Sequence, residues 1–517
     1  MSCFVVSFSL VNTLDLQTAQ LYCFGYMEIG VEMKLRNFNL LNSHRDTSSL
    51  DRDSSVVSQC PFRGIVYAVT GFCLALMLVS CGEKPAGRMQ ISNDLSMILT
   101  KQMPLQQSVM NGAVGPASDF DKAILQAVEA NEAYRAARSF ERELVASIGV
   151  AESVRRWQIA ATSTIGGVRE RGGTKPSKTT TGIAGGIQAS QLIYDSGESA
   201  ANINSATAEA VGARLERIIT GNELALKAAR AWIDVWQYEE KLNLLNARSI
   251  EMQMVVAQIE RMASNGMMDR AAVDSVLRKI VAISLEQARL QSDLSQAQER
   301  FARFFHQKPS ELAMPAGLVT MSDARLQAGA WQEAPDLQRS AVELIVAKNA
   351  VLAAKAAFKP KAKFQAGITS PMQDGESTDV SAGLSLEYNL GDGGKRKSQL
   401  NAAEARMESV TTSLLDAQRS LELEMTEAVQ QLRVIDLSMP LLERQITLSA
   451  SGAKTAKSQL ATGQTNLIQV IEAKIAQYRA EDRQITTRAE KVVLQLVIAS
   501  RTGLLGRLIG LPTDIAE

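Results

Sequence analysis

Cysteine and histidine are scarce in this sequence, and their absence from most of it narrows the chemistry open to the chain. The five cysteines all lie at or before Cys81, so the rest of the 517 residues can form no internal disulfide, no cysteine metal site and no thiol nucleophile. His44 and His306 are the only histidines, which excludes a zinc site with three histidine ligands.

Aromatic residues and net charge are low as well. Aromatics make up 5% of the chain, which is little for a large globular core, and 55 basic residues balance 55 acidic ones. A neutral chain has no bulk field that would draw it to nucleic acid, so no nucleic-acid partner is expected. Alanine, leucine, glutamine, serine and glutamate dominate the middle and end, a composition that favours long helices.

An apolar run occupies residues 65–80, and the basic Arg63 precedes it. It is shorter than the roughly 20 residues of a spanning helix and typical of a signal peptide. We therefore expect residues 1–80 to be a leader. Residues 1–60 show no consistent pattern, and we attribute them to a start codon assigned too early. The alternative is a plain transmembrane anchor.

The leader ends in Leu-Val-Ser-Cys, which resembles the lipobox of bacterial lipoproteins. That resemblance implies cleavage before Cys81, acylation of its sulfur and of the new N-terminus, and transfer to the outer membrane, since Gly82 rather than Asp follows. In the alternative, Cys81 is incidental to a membrane anchor.

A period-two pattern marks residues 380–390, where apolar and polar side chains alternate without a break. Alternation predicts a strand with one apolar and one wet face, and about eleven residues suffice for a tilted strand to cross a bilayer. A Gly-Asp-Gly-Gly turn and a very long helical pattern follow. The alternative is an edge strand of a soluble α+β domain.

The same order of elements occurs twice. Helices are predicted over 119–156, 199–265, 269–305, 337–358, 397–460 and 466–504, and strands over 158–168, 183–194, 362–368 and 380–390. Tyr194 and Gly197 match Tyr388 and Gly391 at an offset of 194, whereas Gly266 matches Gly463 at an offset of 197. The near agreement indicates an internal duplication.

The duplication divides the chain. We assign a leader (1–80), a tether (81–118), a first repeat (119–307), a connector (308–334), a second repeat (335–507) and a C-terminal tail (508–517). Four strands cannot close a barrel, and open edges cannot face lipid, so several chains must share one. Three copies with twelve strands are the simplest closure that fits the even strand counts of bacterial barrels.

Three segments together resemble the TolC-like outer-membrane channels of tripartite efflux and type I secretion. They are GIQASQLIYDSGESAANINSA, VSAGLSLEYNLGDGGKRKSQLNAAEA and ATGQTNLIQVIEAKIAQYRAE, within a resemblance that covers residues 119–505. It implies a mainly α fold with a membrane β-barrel: a homotrimer whose twelve-stranded barrel continues as a long α-helical barrel. Trp157 stands where the family usually has a proline before the first strand.

The resemblance also assigns a gate at the periplasmic mouth. Acidic residues after the second glycine break ring the closed entrance in the family, and the matching positions are Gln469 and Glu472. Three copies of Glu472 around a narrow axis would repel one another and attract cations. The alternative for Glu472 is a solvated helix residue.

The two glycine breaks are the expected contacts for a periplasmic adaptor protein. They comprise Gly266 with Asp269, and Gly463 with Asn466, where the Asp and Asn can cap the following helices. The alternative is that these residues only terminate helices.

Lys363 and Glu387 fall on the polar side of their strands and are expected to line the pore. The alternative is the wet face of a soluble sheet. No residue has the setting of a catalytic group: His306 has no partner and is interpreted as a helix-end residue, and the glycines of residues 391–394 lack the Lys-Ser/Thr of a phosphate loop. We expect no enzyme, no metal and no cofactor beyond lipid at Cys81.

The sequence therefore favours a passive, lipid-anchored export channel of the outer membrane that extends into the periplasm and is driven by an inner-membrane transporter. A periplasmic coiled-coil adaptor or scaffold lipoprotein without a pore is the alternative. Drug, metal ion and secreted protein all remain open as cargo.

Overall fold

The structure is a computed structural model that describes residues 93–95, 97–98, 119–170, 178–265, 269–315, 334–370, 378–462 and 464–512. All of these residues belong to one compact unit, Leu76–Glu517. The predicted leader with Cys81, most of the tether and most of the connector lie outside them.

From Asp119 onward, eight helices and four strands follow one another in the described residues. They are α1 (Asp119–Ala130), α2 (Glu132–Ser153), β1 (Gln158–Glu170), β2 (Lys178–Tyr194), α3 (Glu198–Ser264), α4 (Arg270–Phe305), α5 (Pro335–Ala356), β3 (Lys361–Ser370), β4 (Asp379–Glu387), α6 (Lys395–Ala461), α7 (Leu467–Arg501) and α8 (Leu504–Leu508).

Helices α3 and α6 have 67 residues each, so each is about 100 Å long at ~1.5 Å per residue. The alanine-rich start of α3 is buried because alanine lets neighbouring backbones approach closely. Pro440 lies inside α6, which continues past it as one helix. The two long helices are therefore the frame on which the shorter ones pack.

The shorter helices cover different lengths of this frame. Near the sheet, α2 and α5 pack on α3, and α5 also packs on α6; further away, α4 and α7 pack on α3, and α7 also packs on α6. Apolar side chains from α3, α5 and α6 form one buried cluster near the sheet. Trp232 on α3 contacts the rings of Phe120, Phe301 and Phe305, so this side chain packs α3 against α1 and α4.

The four strands form one antiparallel sheet in the order β1-β2-β3-β4. Each strand pair of a repeat is a hairpin, and β2 pairs with β3 across the two repeats. Strands β1 and β4 are the two edges. Since neighbouring strands alternate in direction, β4 of one copy would run antiparallel to β1 of a second copy.

The duplication is more regular than the sequence comparison suggested. Gly197 and Gly394 precede α3 and α6 with φ near +92° and +91°. The Asp195 and Asp392 carboxylates each accept two backbone N–H groups of the turn that follows. Gly197 therefore corresponds to Gly394, at an offset of 197 that equals the offset from Asp269 to Asn466. The match of Gly197 to Gly391 was wrong, because the two turns differ in the loop that leads into them.

Several predicted element boundaries differ from the structure, and three of the differences have a local cause. The helix over 119–156 is two helices, because the Asn131 side chain accepts the N–H of Ala133 and starts α2. The strands predicted over 158–168 and 183–194 are longer, since β1 and β2 pair out to Glu170 and Lys178. The strand over 380–390 ends at Glu387, because β3 begins at Lys361 and provides no further partner.

Candidate functional site

One face of the sheet is apolar and exposed. Cross-strand partners share a face, and the register places these side chains on it: Ile159, Ile165, Ile183, Ile187, Phe364, Ile368, Val380, Leu384 and Leu386. Ile165 is 79% exposed and Val380 is 75% exposed. A contiguous exposed apolar face of this kind indicates contact with lipid or with protein.

The opposite face is polar and carries both residues that the sequence assigned to a pore. Lys363 pairs with Ser385 and Lys361 pairs with Glu387 in the register. Lys363 and Glu387 are therefore diagonal neighbours, and their Nζ and Oε2 atoms are 3.7 Å apart. Both side chains are accessible to water. The polar face can therefore contact water favourably, whereas the apolar face cannot.

Aromatic side chains mark the end of the apolar face nearest the helices. The Trp157 ring meets the Phe364 ring edge-on at 5.7 Å between centroids. Tyr194 pairs with Ala362, which places it on the same face. Trp157 is 50% exposed and Tyr194 is 56% exposed. Aromatic rings in this position are typical of the boundary between the apolar and aqueous parts of a membrane sheet.

The far ends of the long helices meet in a small apolar cluster. Its buried members are Ile259 on α3, Val276 on α4, and Leu467 and Ile471 on α7. Asn466 caps α7, since its Oδ1 accepts the N–H of Gln469 at 2.9 Å. Asp269 holds the corresponding place before α4, but within the described residues its side chain makes no capping bond. Gly266 and Gly463 lie outside the described residues.

Glu472, the predicted gate residue, directly follows Ile471 on α7 and is exposed. Its carboxylate forms an ion pair and hydrogen bond with the Lys279 ammonium on α4. Gln469 accepts a hydrogen bond from the Thr465 hydroxyl. The two gate positions thus lie on one exposed side of α7, and the charge of Glu472 is balanced within the chain.

A family model described as outer membrane efflux protein matches residues 328–498. That range contains α5, β3, β4 and α6 and most of α7. No curated protein sequence matches the chain.

Solved structures share the fold over most of their length. CusC is 15% identical, with a TM-score of 0.69, and the match covers 77% of this chain and 95% of CusC. VceC from Vibrio cholerae is 15% identical (TM-score 0.66; 74% and 96% covered). The open state of MtrE from Neisseria gonorrhoeae is 14% identical (TM-score 0.63; 77% and 95% covered).

Over residues 328–498 the chain therefore resembles outer membrane efflux proteins. The family match and the fold confirm the predicted resemblance and the predicted fold class, a long helical barrel segment joined to barrel strands. The matched family is described as one of efflux proteins. At these identities the solved structures establish the fold alone.

Sequence reasoning missed a set of ion pairs that ties α7 to α3. The Arg248 guanidinium bonds both oxygens of Glu481, at 2.9 and 2.7 Å, and Lys474 bonds Glu251 at 2.6 Å. The hydrogen bond from Lys474, with the charges of Lys474 and Arg248, lowers the pKa of Glu251 against the opposing effect of burial. The available signal was opposite charge at helical spacing on two long helices.

A second missed group ties the C-terminal end to the helices near the sheet. Arg217 is 7% exposed and bonds Glu141, the Tyr134 hydroxyl and the carbonyl of Pro512. Burial favours neutral Glu141, but hydrogen bonds and charge from Arg214 and Arg217 lower its pKa overall. No spacing in the sequence indicates this group, because its members are far apart in the chain: Arg217 and Pro512 are separated by 295 positions.

The described part of the chain offers few features of other kinds of site. It contains no group of three or more His, Cys, Asp or Glu side chains that could hold a metal ion. None of its helices has the length and apolar content needed to cross a membrane. His306 ends α4 in a left-handed conformation, as its interpretation as a helix-end residue predicts.

Proposed function

We propose that this chain forms a passive export channel of the outer membrane, with three copies that each contribute four strands to one twelve-stranded barrel. The observation that carries the proposal is a four-stranded sheet with one apolar face and two open edges, joined directly to two 67-residue helices. Closure into a barrel satisfies the edge strands and leaves the apolar faces toward lipid. The polar face, with Lys363 and Glu387, then lines the pore.

The helices support a duct that continues the barrel into the periplasm. Apolar side chains on α4 and α6 find no cover within the described residues: Leu277, Val281 and Leu285 on α4, and Leu423, Val434, Leu437, Leu441 and Leu448 on α6. Stripes at helical spacing on the two outer helices of a chain fit contact between adjacent copies. A scaffold lipoprotein with a single hairpin would not need them.

We assign the remaining partners and sites on the same basis. An adaptor protein contacts the helical ends at Gly266, Asp269, Gly463 and Asn466, and an inner-membrane transporter provides the energy. Acylation at Cys81 anchors the chain, so Cys81→Ser abolishes lipid labelling. Labelling that persists in Cys81→Ser would reject this assignment. The cargo, whether for efflux or for secretion, stays open.

The gate proposal predicts changes of opposite sign in ion selectivity. Glu472→Ala removes a negative charge from the mouth, so cation selectivity of single channels in planar bilayers falls. Lys279→Met removes the partner that balances Glu472, so cation selectivity rises. Glu260→Ala, on the exposed side of α3 near the same end, is the control and should leave cation selectivity unchanged. Equal selectivity in all four proteins would reject the gate role.

The same measurement tests the channel itself. Purified protein should need detergent, migrate as a trimer and give discrete conductance steps. A water-soluble monomer without conductance would reject the proposed function.

A further inference from the structure

The segments that join the sheet to the helices of the second repeat carry an excess of positive charge. Three lysines there are exposed: Lys359, in the turn after α5, and Lys395 and Lys397, in the first turn of α6. The chain as a whole is neutral, so a local excess calls for an explanation. Helix stability does not provide one, because positive side chains are unfavourable at a helix N-terminus.

The acidic side chains at this level are already partnered. Their partners are Arg156 for Glu152 (2.8 Å), Lys361 for Glu198 (2.6 Å), Lys363 for Glu387 (3.7 Å), Arg396 for Asp392 (2.7 Å), and backbone N–H groups for Asp195. Within the described residues, Lys359, Lys395 and Lys397 have no such ion pair. Three ammonium groups per chain are left without a counter-charge.

Arg396 holds the two lysine-bearing segments against each other. Its guanidinium donates hydrogen bonds to the carbonyls of Ala357 and Asn389 and lies over the Phe358 ring, 5.3 Å from the centroid. The turn that contains Lys359 therefore packs on the first turn of α6. We call the exposed Lys359, Lys395 and Lys397 the basic patch.

The first repeat has the same joint without the patch. Ser199 corresponds to Arg396 at the offset of 197, and Arg155 bonds the Ser199 hydroxyl at 2.7 Å. The positions that correspond to Lys395 and Lys397 are Glu198 and Ala200. The joint therefore does not require these lysines for its geometry, and their charge is free for another role.

The position of the patch identifies its counter-charge. The rings of Trp157, Phe364 and Tyr194 end the apolar face just before these segments. In a membrane barrel, aromatic rings of this kind lie at headgroup depth, and lysine side chains beyond them extend toward the headgroup phosphates. The basic patch thus lies at the level of the headgroups on the helical side of the membrane.

We propose that Lys359, Lys395 and Lys397 bind the phosphates of anionic lipid headgroups in the leaflet from which the helices emerge. The inference rests on the proposed function, because it requires that the sheet spans a membrane. Three copies would place a ring of such patches around the barrel base. This contact would fix the depth of the barrel in the membrane and favour insertion where anionic lipid is present.

The test compares lipid binding by the solubilised parent trimer and by a variant in which two of the three lysines of the basic patch are neutral. Native mass spectrometry counts the lipids retained as phosphatidylglycerol or phosphatidylcholine is titrated into the detergent solution. A lysine near an anionic surface contributes roughly fivefold to affinity, so Lys395→Gln with Lys397→Gln should weaken phosphatidylglycerol binding by about 25-fold. Binding of phosphatidylcholine should not change.

The matched control removes two exposed lysines from the other end of the same helix. Lys454→Gln with Lys457→Gln makes the same charge change on α6, about 90 Å away at ~1.5 Å per residue, and should bind phosphatidylglycerol as the parent does. Inorganic phosphate should not compete with the lipid at equal concentration; if it does, the site is one for free phosphate. Equal phosphatidylglycerol binding by both double variants would overturn the proposal.

Channel recordings separate failure of this inference from failure of the proposed function. If the parent protein conducts in bilayers but shows no preference for phosphatidylglycerol, only the inference fails. Lys395→Gln with Lys397→Gln could instead change ion selectivity without changing lipid binding. That result would place the basic patch inside the duct and would also overturn the inference. A parent protein that never inserts would reject the proposed function first.

Discussion

Single residues set the joints between sheet and helix. Gly197 and Gly394 adopt φ near +92° and +91° at the starts of α3 and α6, a region that costs other residues roughly 1–2 kcal/mol. No atom lies within 4 Å of the place where a Cβ would stand at either glycine. Backbone conformation alone, rather than space, therefore requires glycine here.

Gly394→Ala should lower the free energy of unfolding by about 1–2 kcal/mol, because alanine is strained at this φ. Gly149→Ala is the matched control, since Gly149 lies inside α2 with equally open surroundings. There alanine should raise stability by about 0.5–1 kcal/mol. Denaturant unfolding of both variants checks the prediction, and changes of the same sign would contradict it.

Glu251 makes the α3–α7 contact sensitive to acid. Its pKa is lowered in the folded chain from an ordinary value of 4.5, so its stabilising contribution is complete above that value and is lost as the pH falls below it. Glu251→Gln should therefore unfold at a lower temperature than the parent near pH 6. The loss in free energy of unfolding should be less than about 1 kcal/mol, because the pair is partly exposed. The difference should shrink as the pH falls from 6 towards 3.

Thermal unfolding of parent and Glu251→Gln between these pH values measures the effect. Glu260→Gln, on the same helix and exposed, should show no such dependence. A difference between Glu251→Gln and the parent that stays constant down to pH 3 would show that charge at Glu251 is not its cause.

At the scale of elements, helix length and packing decide the structure. Pro440 lies inside α6 and is exposed, although a proline in a helix interior removes a backbone hydrogen bond and costs up to about 3 kcal/mol relative to alanine. The chain tolerates it because packing on α5 and α7 holds α6 along its length.

Pro440→Ala should therefore raise the free energy of unfolding by about 1–3 kcal/mol. Gly452→Ala, at another open position of α6, should raise it by about 1 kcal/mol and serves as the control. Chemical denaturation measures both. Loss of stability in Pro440→Ala alone would show that a bend at Pro440 is part of the packing.

Periodicity predicted which elements form, and local chemistry decided where they end. The 3.6-residue pattern indicated all the long helices, and alternation indicated the strand that became β4. The break at Asn131 was missed because a single side-chain cap interrupts an otherwise continuous apolar pattern. The ends of β1 and β2 were missed because Arg169 and Thr181 look like loop residues, whereas hairpin pairing extends the strands past them.

The candidate site was predictable only in part. The shared polar face of Lys363 and Glu387 follows from alternation and register. The pairing of Glu472 with Lys279 does not follow from the sequence, because it depends on how α4 and α7 pack. The group around Arg217 likewise joins residues that no spacing relates.

At the scale of the whole molecule, one chain is incomplete by itself. The sheet has two unpaired edges and an exposed apolar face, and the outer helices carry uncovered apolar stripes. Each of these features is costly in an isolated chain. A closed ring of copies removes all of them together, which is why the account depends on the contact between β4 of one copy and β1 of the next.

Cysteine cross-linking of the two edge strands tests that contact most directly. Residues Ala160, Thr162 or Thr164 on β1 would be changed to Cys in combination with Asp379, Ser381 or Ser385 on β4. Within one chain β1 and β4 are three strand spacings apart, about 14 Å, which is beyond the reach of a disulfide. A disulfide must therefore join two copies.

Ser190→Cys with Gln365→Cys is the control, because these register partners on β2 and β3 should cross-link within one chain. If three copies share one barrel, at least one edge pair forms a covalent ladder that ends at three chains. A control that cross-links while every edge pair stays monomeric, or a ladder that continues past three chains, would contradict it.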